Sequence, residues 1–176
     1  MPARFSDRTT TLSLTARHAS DVCMIAIPVL ATGVWLVEPD PLVANFRAEG
    51  APPLSNQQIA SCIALTLVPS GLLAIGLWHL GRLFRLFARR AHFTKAVARH
   101  LRGFAWYLLA SALVSPFASA AIGVVASWFN PPGQKILAFA ISGQGVLAIL
   151  LAALLFALAR VMIEAQQMAD DQRFIV

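Results

Sequence analysis

The sequence predicts an all-α polytopic membrane protein, with four transmembrane helices in a bundle and helical extensions on the cytoplasmic side. The composition is strongly apolar, four long runs lack charged residues, and basic residues are spread unevenly between the connecting segments. Of 176 residues, 58% are hydrophobic and 12% are charged. Soluble domains are typically about 45–50% apolar and about 25% charged, so this chain lies outside that class.

Each apolar run is close to the length of about 20 residues that a helix needs to cross a bilayer. The first run also resembles a signal peptide, but it continues well past Ala31, where cleavage would fall, so we predict a retained span. Charges inside a membrane usually mark proton or ion pathways. The four runs, 22–37, 57–80, 103–129 and 136–159, contain no charged residue, which argues against an ion-coupled pump. We predict one membrane domain, 1–176, with spans at about 20–37, 57–80, 103–129 and 136–159.

The distribution of Lys and Arg predicts the orientation of these spans. Placing both termini and the segment 81–102 on one side puts 12 basic residues there and 2 on the other side. Short cytoplasmic loops carry an excess of basic residues, so both termini are predicted to be cytoplasmic. The tryptophans agree, since all four fall at predicted ends of spans, where their rings favour the headgroup level: Trp35, Trp78, Trp106 and Trp128.

The connecting segments differ in how regular a structure they are predicted to have. Residues 1–12 are polar and predicted to be loosely ordered, and the segment 38–56 contains four prolines and is predicted to be irregular. The sequence NPPG at 130–133 predicts a tight turn between spans three and four.

The segment 81–102 is predicted to be a helical hairpin with seven Lys or Arg and no acidic residue. An apolar stripe at helical spacing continues the second span to about Arg90, and Thr94 is predicted to cap the helix of the third span. The tail 160–176 lacks Gly and Pro and should extend the last helix. The stripe consists of Leu80, Leu83, Phe84 and Phe87.

The stretch LFRLFARRAHFTKAVARHLRGFAW, the NPPG turn and the ending EAQQMADDQRFIV resemble the bacterial domain-of-unknown-function 2975 (DUF2975) family. The resemblance extends from the first span to the C-terminus, and it implies a small four-span protein of the bacterial plasma (inner) membrane. It carries over no catalytic residues. Some members are similar to membrane partners of small helix-turn-helix regulators, which the resemblance implies as a partner class. The family's usual hairpin glycine is replaced here, since the bend reads Ala91, His92, Phe93 and Thr94.

Three interpretations of the basic hairpin remain open. The cations orient the chain and attract anionic headgroups of the lipid bilayer. Alternatively, they bind the acidic tail of the same chain, or the hairpin and tail together hold a soluble cytoplasmic regulatory protein. Direct nucleic-acid binding is not predicted, because nothing beyond charge supports it. The candidate contact residues are Arg82, Arg85, Arg89, Arg90, Lys95, Arg99, Arg102, Asp170 and Asp171.

Small residues recur every four positions along the third span, a spacing that lets helices approach closely. This stripe predicts packing within the bundle, with a homodimer contact as the alternative; it comprises Ser111, Ser115, Ser119, Gly123 and Ser127. Prolines near the middle of three spans predict kinks, which packed membrane helices tolerate and transporters use as hinges: Pro28, Pro69 and Pro116.

No sequence motif of an enzyme is found, and no catalytic residue, cofactor or metal site is predicted. We therefore predict a non-enzymatic interaction or regulatory protein whose cytoplasmic hairpin and tail hold a soluble partner. The alternative is a small transporter or lipid-handling protein that uses the proline-kinked interior. A water-accessible central cavity lined by Ser115, Ser119 and Gln144 would favour that alternative.

Overall fold

Four long helices make up most of the chain. The computed structural model describes residues 3–48, 52–88, 94–131, 135, 137, 139 and 142–172, with side chains described except at 3–14, 17, 88 and 169–172. The long helices are α1 (Ala3–Val37), α3 (Asn56–Ala88), α4 (Lys95–Ala126) and α5 (Gly143–Gln172), and α1 is followed by α2 (Pro39–Val43) and a 3₁₀ helix (Ala44–Phe46). These described ranges contain no strand, which confirms the predicted all-α class.

Each long helix contains a segment long and apolar enough to cross a membrane, so the prediction of four spans is confirmed. Many large apolar side chains of these helices face outwards, among them Leu30, Leu147, Leu150 and Leu154. A surface of this kind is unfavourable in water but matches the hydrocarbon of a bilayer. The fold is therefore that of a polytopic membrane protein.

The helices pack in chain order. Helix α3 contacts α1 on one side and α4 on the other, and α5 packs against α4. Helices α3 and α4 are therefore the central pair, while α1 and α5 each have one principal neighbour among the described residues.

The helix ends differ from the predictions in two places. Residues 1–12 were predicted to be loosely ordered, but α1 begins at Ala3. The last span was predicted from 136, but α5 begins at Gly143, because the Ser142 hydroxyl accepts a hydrogen bond from the Gly145 amide (3.1 Å) and caps the helix there. Part of the predicted NPPG turn, 132–134, lies outside the described residues. The extensions of α3 to Ala88 and of α5 to Gln172 follow the prediction.

The proline-rich segment after α1 is also more ordered than predicted. It contains α2 and the 3₁₀ helix, and Arg47 forms an ion pair with Asp40 at 2.8 Å. Proline is well tolerated in the first turn of a helix, where its missing N–H has no partner to lose, and Pro39 takes that position in α2. We call this side of the bundle, residues 38–63 and 122–130, the loop end.

A buried apolar cluster holds the loop end together. Trp35 is 4% exposed and packs with Val43, Cys62 and Ala126, and its indole Nε1 donates a hydrogen bond to the Thr66 hydroxyl (3.0 Å). The ring of Trp35 thus lies inside the protein, whereas the sequence placed it among the headgroups. The other three tryptophans are exposed, as residues at the headgroup level would be.

Two buried amides complete the contacts at the loop end. The Asn130 side chain donates to the Phe46 carbonyl (3.0 Å) and accepts from the Ala48 amide (3.3 Å). Gln58 donates to the Val125 carbonyl (2.8 Å) and forms a reciprocal capping box with Ser55 at the start of α3. The Asn130 bonds join the segment after α1 to the residues that follow α4, and the Gln58 bond joins the start of α3 to the end of α4.

The serine stripe of α4 faces more than one environment. The Ser111 hydroxyl donates to the Pro69 carbonyl of α3 (2.8 Å), and Gly123 and Ser127 are buried, which agrees with packing inside the bundle. Ser115 is exposed and Ser119 is half-buried, because a four-residue spacing drifts slowly around a helix. The three prolines lie inside helices that continue through them.

Candidate functional site at the basic end

Opposite the loop end, the ends of α3, α4 and α5 form what we call the basic end, residues 77–87, 94–107 and 155–167. Its core contains Leu83, Val97, Leu101 and Ala159, which are all buried. Leu80 and Phe87 of the predicted stripe pack against this core. The apolar stripe therefore faces inwards, and the basic residues between its members are directed elsewhere.

Four of the predicted contact residues are exposed on this end: Arg82, Lys95, Arg99 and Arg102. Arg82 lies 4.9 Å from the centre of the Trp78 ring, a cation–π contact that holds its side chain against α3. Arg85 is half-buried. The remaining predicted residues are not described at this level, since Arg89 and Arg90 lie outside the described residues and Asp170 and Asp171 are described only as backbone of α5.

A pair of histidines connects α3 to α4. The Nδ1 atoms of His79 and His100 are 3.2 Å apart, which requires one ring to donate and the other to accept. His79 also stacks on Tyr107, with ring centres 5.6 Å apart. The close approach requires a glycine opposite, because a Cβ atom at Gly103 would lie 2.7 Å from His79 Nδ1. The two histidines are 21 residues apart in the chain. His92, in the bend between the two helices, lies outside the described residues.

Helix α1 reaches the basic end through two polar residues, Ser20 and Asp21, which no sequence motif indicated. The buried Ser20 hydroxyl donates to the Leu77 carbonyl (2.8 Å). A Cβ atom at Gly81 would lie 3.1 Å from Asp21 Oδ1, so this glycine allows the carboxylate to approach α3. Asp21 is thus a negative charge beside a largely positive surface.

Within the part of the chain that the structure describes, two further polar groups at this end are buried and have no hydrogen-bond partner. Thr94 occupies the N-cap position of α4, as predicted, but its hydroxyl makes no capping bond. The amide of Gln166, a residue 9% exposed, also lacks a partner for both its nitrogen and its oxygen. A buried polar group without a partner typically costs about 1–3 kcal/mol, so both residues reduce the stability of this end.

A groove of about 560 Å³ lies between α4 and α5. At its centre the Trp106 and Phe156 rings meet edge to face, with ring centres 5.3 Å apart. Arg160 donates from Nε to the Glu164 carboxylate at 3.1 Å. Nothing in the sequence alone identified this groove, because its walls come from two helices far apart in the chain. It is lined by Arg102, Trp106, Phe156, Ala159, Arg160, Ile163, Glu164 and Gln167.

The fold and this basic end define a four-span helical membrane protein. The chain belongs to the family described as "Protein of unknown function (DUF2975)", whose model matches residues 38–176. The resemblance drawn from the hairpin and the tail is confirmed, although the match begins after α1 and not at the first span. Neither a curated protein nor a solved structure matches the chain.

Proposed function

We propose that the protein is a non-enzymatic membrane scaffold whose basic end holds a soluble regulatory protein on the cytoplasmic side of the bacterial plasma membrane. The observation that carries this proposal is the display of Arg82, Lys95, Arg99 and Arg102 on two helices that a buried apolar core fixes together. The segment 81–102 has no acidic residue, so a partner with an acidic surface is complementary to it. Complementary charge increases association rates and suppresses wrong partners.

The buried polar groups without a hydrogen-bond partner also support the basic end as the surface that binds the partner. The Thr94 hydroxyl and the Gln166 amide are covered by neighbouring side chains and form no hydrogen bond with the described residues of the isolated chain. A partner that rearranged these neighbours would supply the missing bonds and recover the cost of burial. Such residues favour a complex over the free protein.

The end of α5 offers a second contact of opposite charge. The helix reaches Gln172 and so includes the backbone of Asp170 and Asp171. A small helix-turn-helix regulator, the partner class implied by the family resemblance, carries basic residues on its DNA-binding face. The acidic tail would bind the regulator's basic DNA-binding face, and the basic hairpin would bind an acidic face of the same regulator. The regulator would then be kept from DNA.

A small transporter remains the alternative, and its expected feature was a central cavity lined by three polar residues. Ser115 and Gln144 are both exposed, and Gln144 lies in the first turn of α5. Two cavities are lined by described side chains, the groove and one of about 250 Å³ at the loop end, and neither includes Ser115 or Gln144. We therefore keep the scaffold as the proposed function.

A photoreactive amino acid at position 82 tests the proposal in native membranes. We expect it to crosslink a soluble protein that the same group at Trp128, which is 59% exposed at the loop end, does not capture. Adding Lys95→Glu and Arg99→Glu replaces two attractions with two repulsions and should lower the yield by roughly tenfold, equivalent to about 1.4 kcal/mol. If no soluble protein is captured at position 82, or if charge reversal leaves the yield unchanged, the proposal is wrong.

Gln166→Leu, examined in the same crosslinking experiment, tests the role of the buried amide. Removing a buried, unpartnered amide should raise the thermal stability of the free protein, because the cost of burial disappears. Capture at position 82 should fall, since the partner loses a hydrogen-bonding group. A variant that is more stable and still captures the partner fully would contradict the role given to Gln166.

A further inference from the structure

We propose that the groove between α4 and α5 binds one anionic glycerophospholipid. Its phosphate lies between the guanidinium groups of Arg102 and Arg160, and its acyl chains lie along Trp106 and Phe156. This site is separate from the exposed cations of the proposed partner surface, apart from Arg102, which contributes to both.

The positions of the two arginines along the chain place them at the same depth. Arg102 is the last charged residue before the apolar run 103–129, and Arg160 is the first charged residue after the run 136–159. Helices α4 and α5 are antiparallel, since residues 102 and 106 line the groove opposite 160 and 156. Both guanidinium groups therefore lie where the apolar span ends, at the level of lipid phosphates.

The aromatic residues lie one helical turn deeper. Trp106 follows Arg102 by four residues and Phe156 precedes Arg160 by four, so each aromatic side chain is on the same helix face as its arginine. Their rings meet edge to face at 5.3 Å, and Trp106 remains 55% exposed. Leu113, farther along α4 towards the loop end, is also exposed. The wall of the groove thus continues as an apolar surface into the bilayer, as an acyl chain requires and a small soluble anion does not.

The size and polar rim of the groove fit a headgroup. Ala159 is 2% exposed at its base, and its small side chain leaves a volume of about 560 Å³ between the helices. Ligand sites typically have volumes of about 300–1,000 Å³. Glu164 and Gln167 line the side away from the aromatic rings, where their oxygen and nitrogen atoms can bind the hydroxyl groups of a glycerol headgroup.

The charges in the groove favour an anion. One carboxylate, Glu164, faces two guanidinium groups, so one positive charge is not balanced within the lining. The bond from Arg160 to Glu164 uses the Nε–H, and a guanidinium has five N–H donors. Two arginines can therefore bind the phosphate oxygens by charge-assisted hydrogen bonds.

Native mass spectrometry of the detergent-purified full chain tests the proposal with dioleoyl phosphatidylglycerol and dioleoyl phosphatidylcholine as probes. We expect one phosphatidylglycerol to bind preferentially. Arg102→Gln with Arg160→Gln should weaken that binding by about 25-fold, because each cation near the surface contributes about fivefold in affinity for anionic lipid. The control, Arg82→Gln with Arg99→Gln, loses the same charge outside the groove and should change the affinity much less.

Three results would overturn the assignment. If the unmodified protein bound phosphatidylcholine as tightly as phosphatidylglycerol, the site would not select an anionic headgroup. If the control variant lost as much affinity for phosphatidylglycerol as the groove variant, the effect would come from the general surface charge and not from the groove. Competition by glycerol 3-phosphate at the affinity of the whole lipid would show that the site takes a soluble anion and not a membrane lipid.

Discussion

Trp35→Ala is expected to lower the free energy of unfolding by about 3–5 kcal/mol, the range typical of removing a buried aromatic side chain. Its ring is 4% exposed and fills the cluster with Val43, Cys62 and Ala126. The substitution leaves a cavity between α1 and α3 and leaves the Thr66 hydroxyl without the indole donor. The segment after α1 should separate from the bundle before the spans themselves unfold.

Two variants separate the contributions at this site. Trp35→Phe keeps most of the ring but loses the Nε1–H, so it should cost only about 1–3 kcal/mol. Trp128→Ala removes an exposed ring and should have little effect. Denaturation in detergent, followed by circular dichroism, gives the comparison. Equal stability of Trp35→Ala and Trp128→Ala would show that the loop end does not depend on the buried indole.

Gly103→Ala is expected to destabilise the basic end by about 1–3 kcal/mol, although alanine is the better helix former. The added methyl group would lie 2.7 Å from His79 Nδ1 and 3.0 Å from its Cγ. The ring is held between His100 and Tyr107, so it cannot move without losing the 3.2 Å hydrogen bond or the stacking contact.

The matched control is Gly71→Ala in α3, because a Cβ atom there meets nothing within 4 Å. This variant should gain about 0.5–1 kcal/mol from the lower entropy of the unfolded chain. A double-mutant cycle with His79→Ala should show that the cost of Gly103→Ala disappears when the imidazole is removed. If both glycine variants gain stability, the close contact between Gly103 of α4 and His79 of α3 does not exist as described.

The existence of the four spans followed from the sequence because an uncharged apolar run of this length has few alternatives. The ends of the elements were harder to predict, since local bonds determine them. Ser142 caps the start of α5, and the sequence is apolar on both sides of it. Hydropathy therefore does not show where the helix begins. The Ser55–Gln58 capping box, by contrast, has a Ser-x-x-Gln signature that can be recognised in the sequence.

The candidate site was predictable only in part. The stripe through Leu80, Leu83 and Phe87 predicted which side of α3 is buried, and therefore that Arg82 is exposed. The pairing of His79 with His100 depends on the relative rotation of α3 and α4, which helical periodicity within one segment does not specify. The groove of Trp106 and Phe156 depends likewise on the packing of α4 against α5.

Cysteine accessibility in spheroplasts tests the predicted threading of the chain most directly. Cys23 and Cys62, the protein's two cysteines, are first replaced by serine. Single cysteines are then introduced by Asn45→Cys at the loop end and Lys95→Cys at the basic end, both exposed positions. A membrane-impermeant maleimide should label the first in intact spheroplasts and the second only after lysis. Labelling of position 95 before lysis would contradict a cytoplasmic basic end, and with it the proposed partner site.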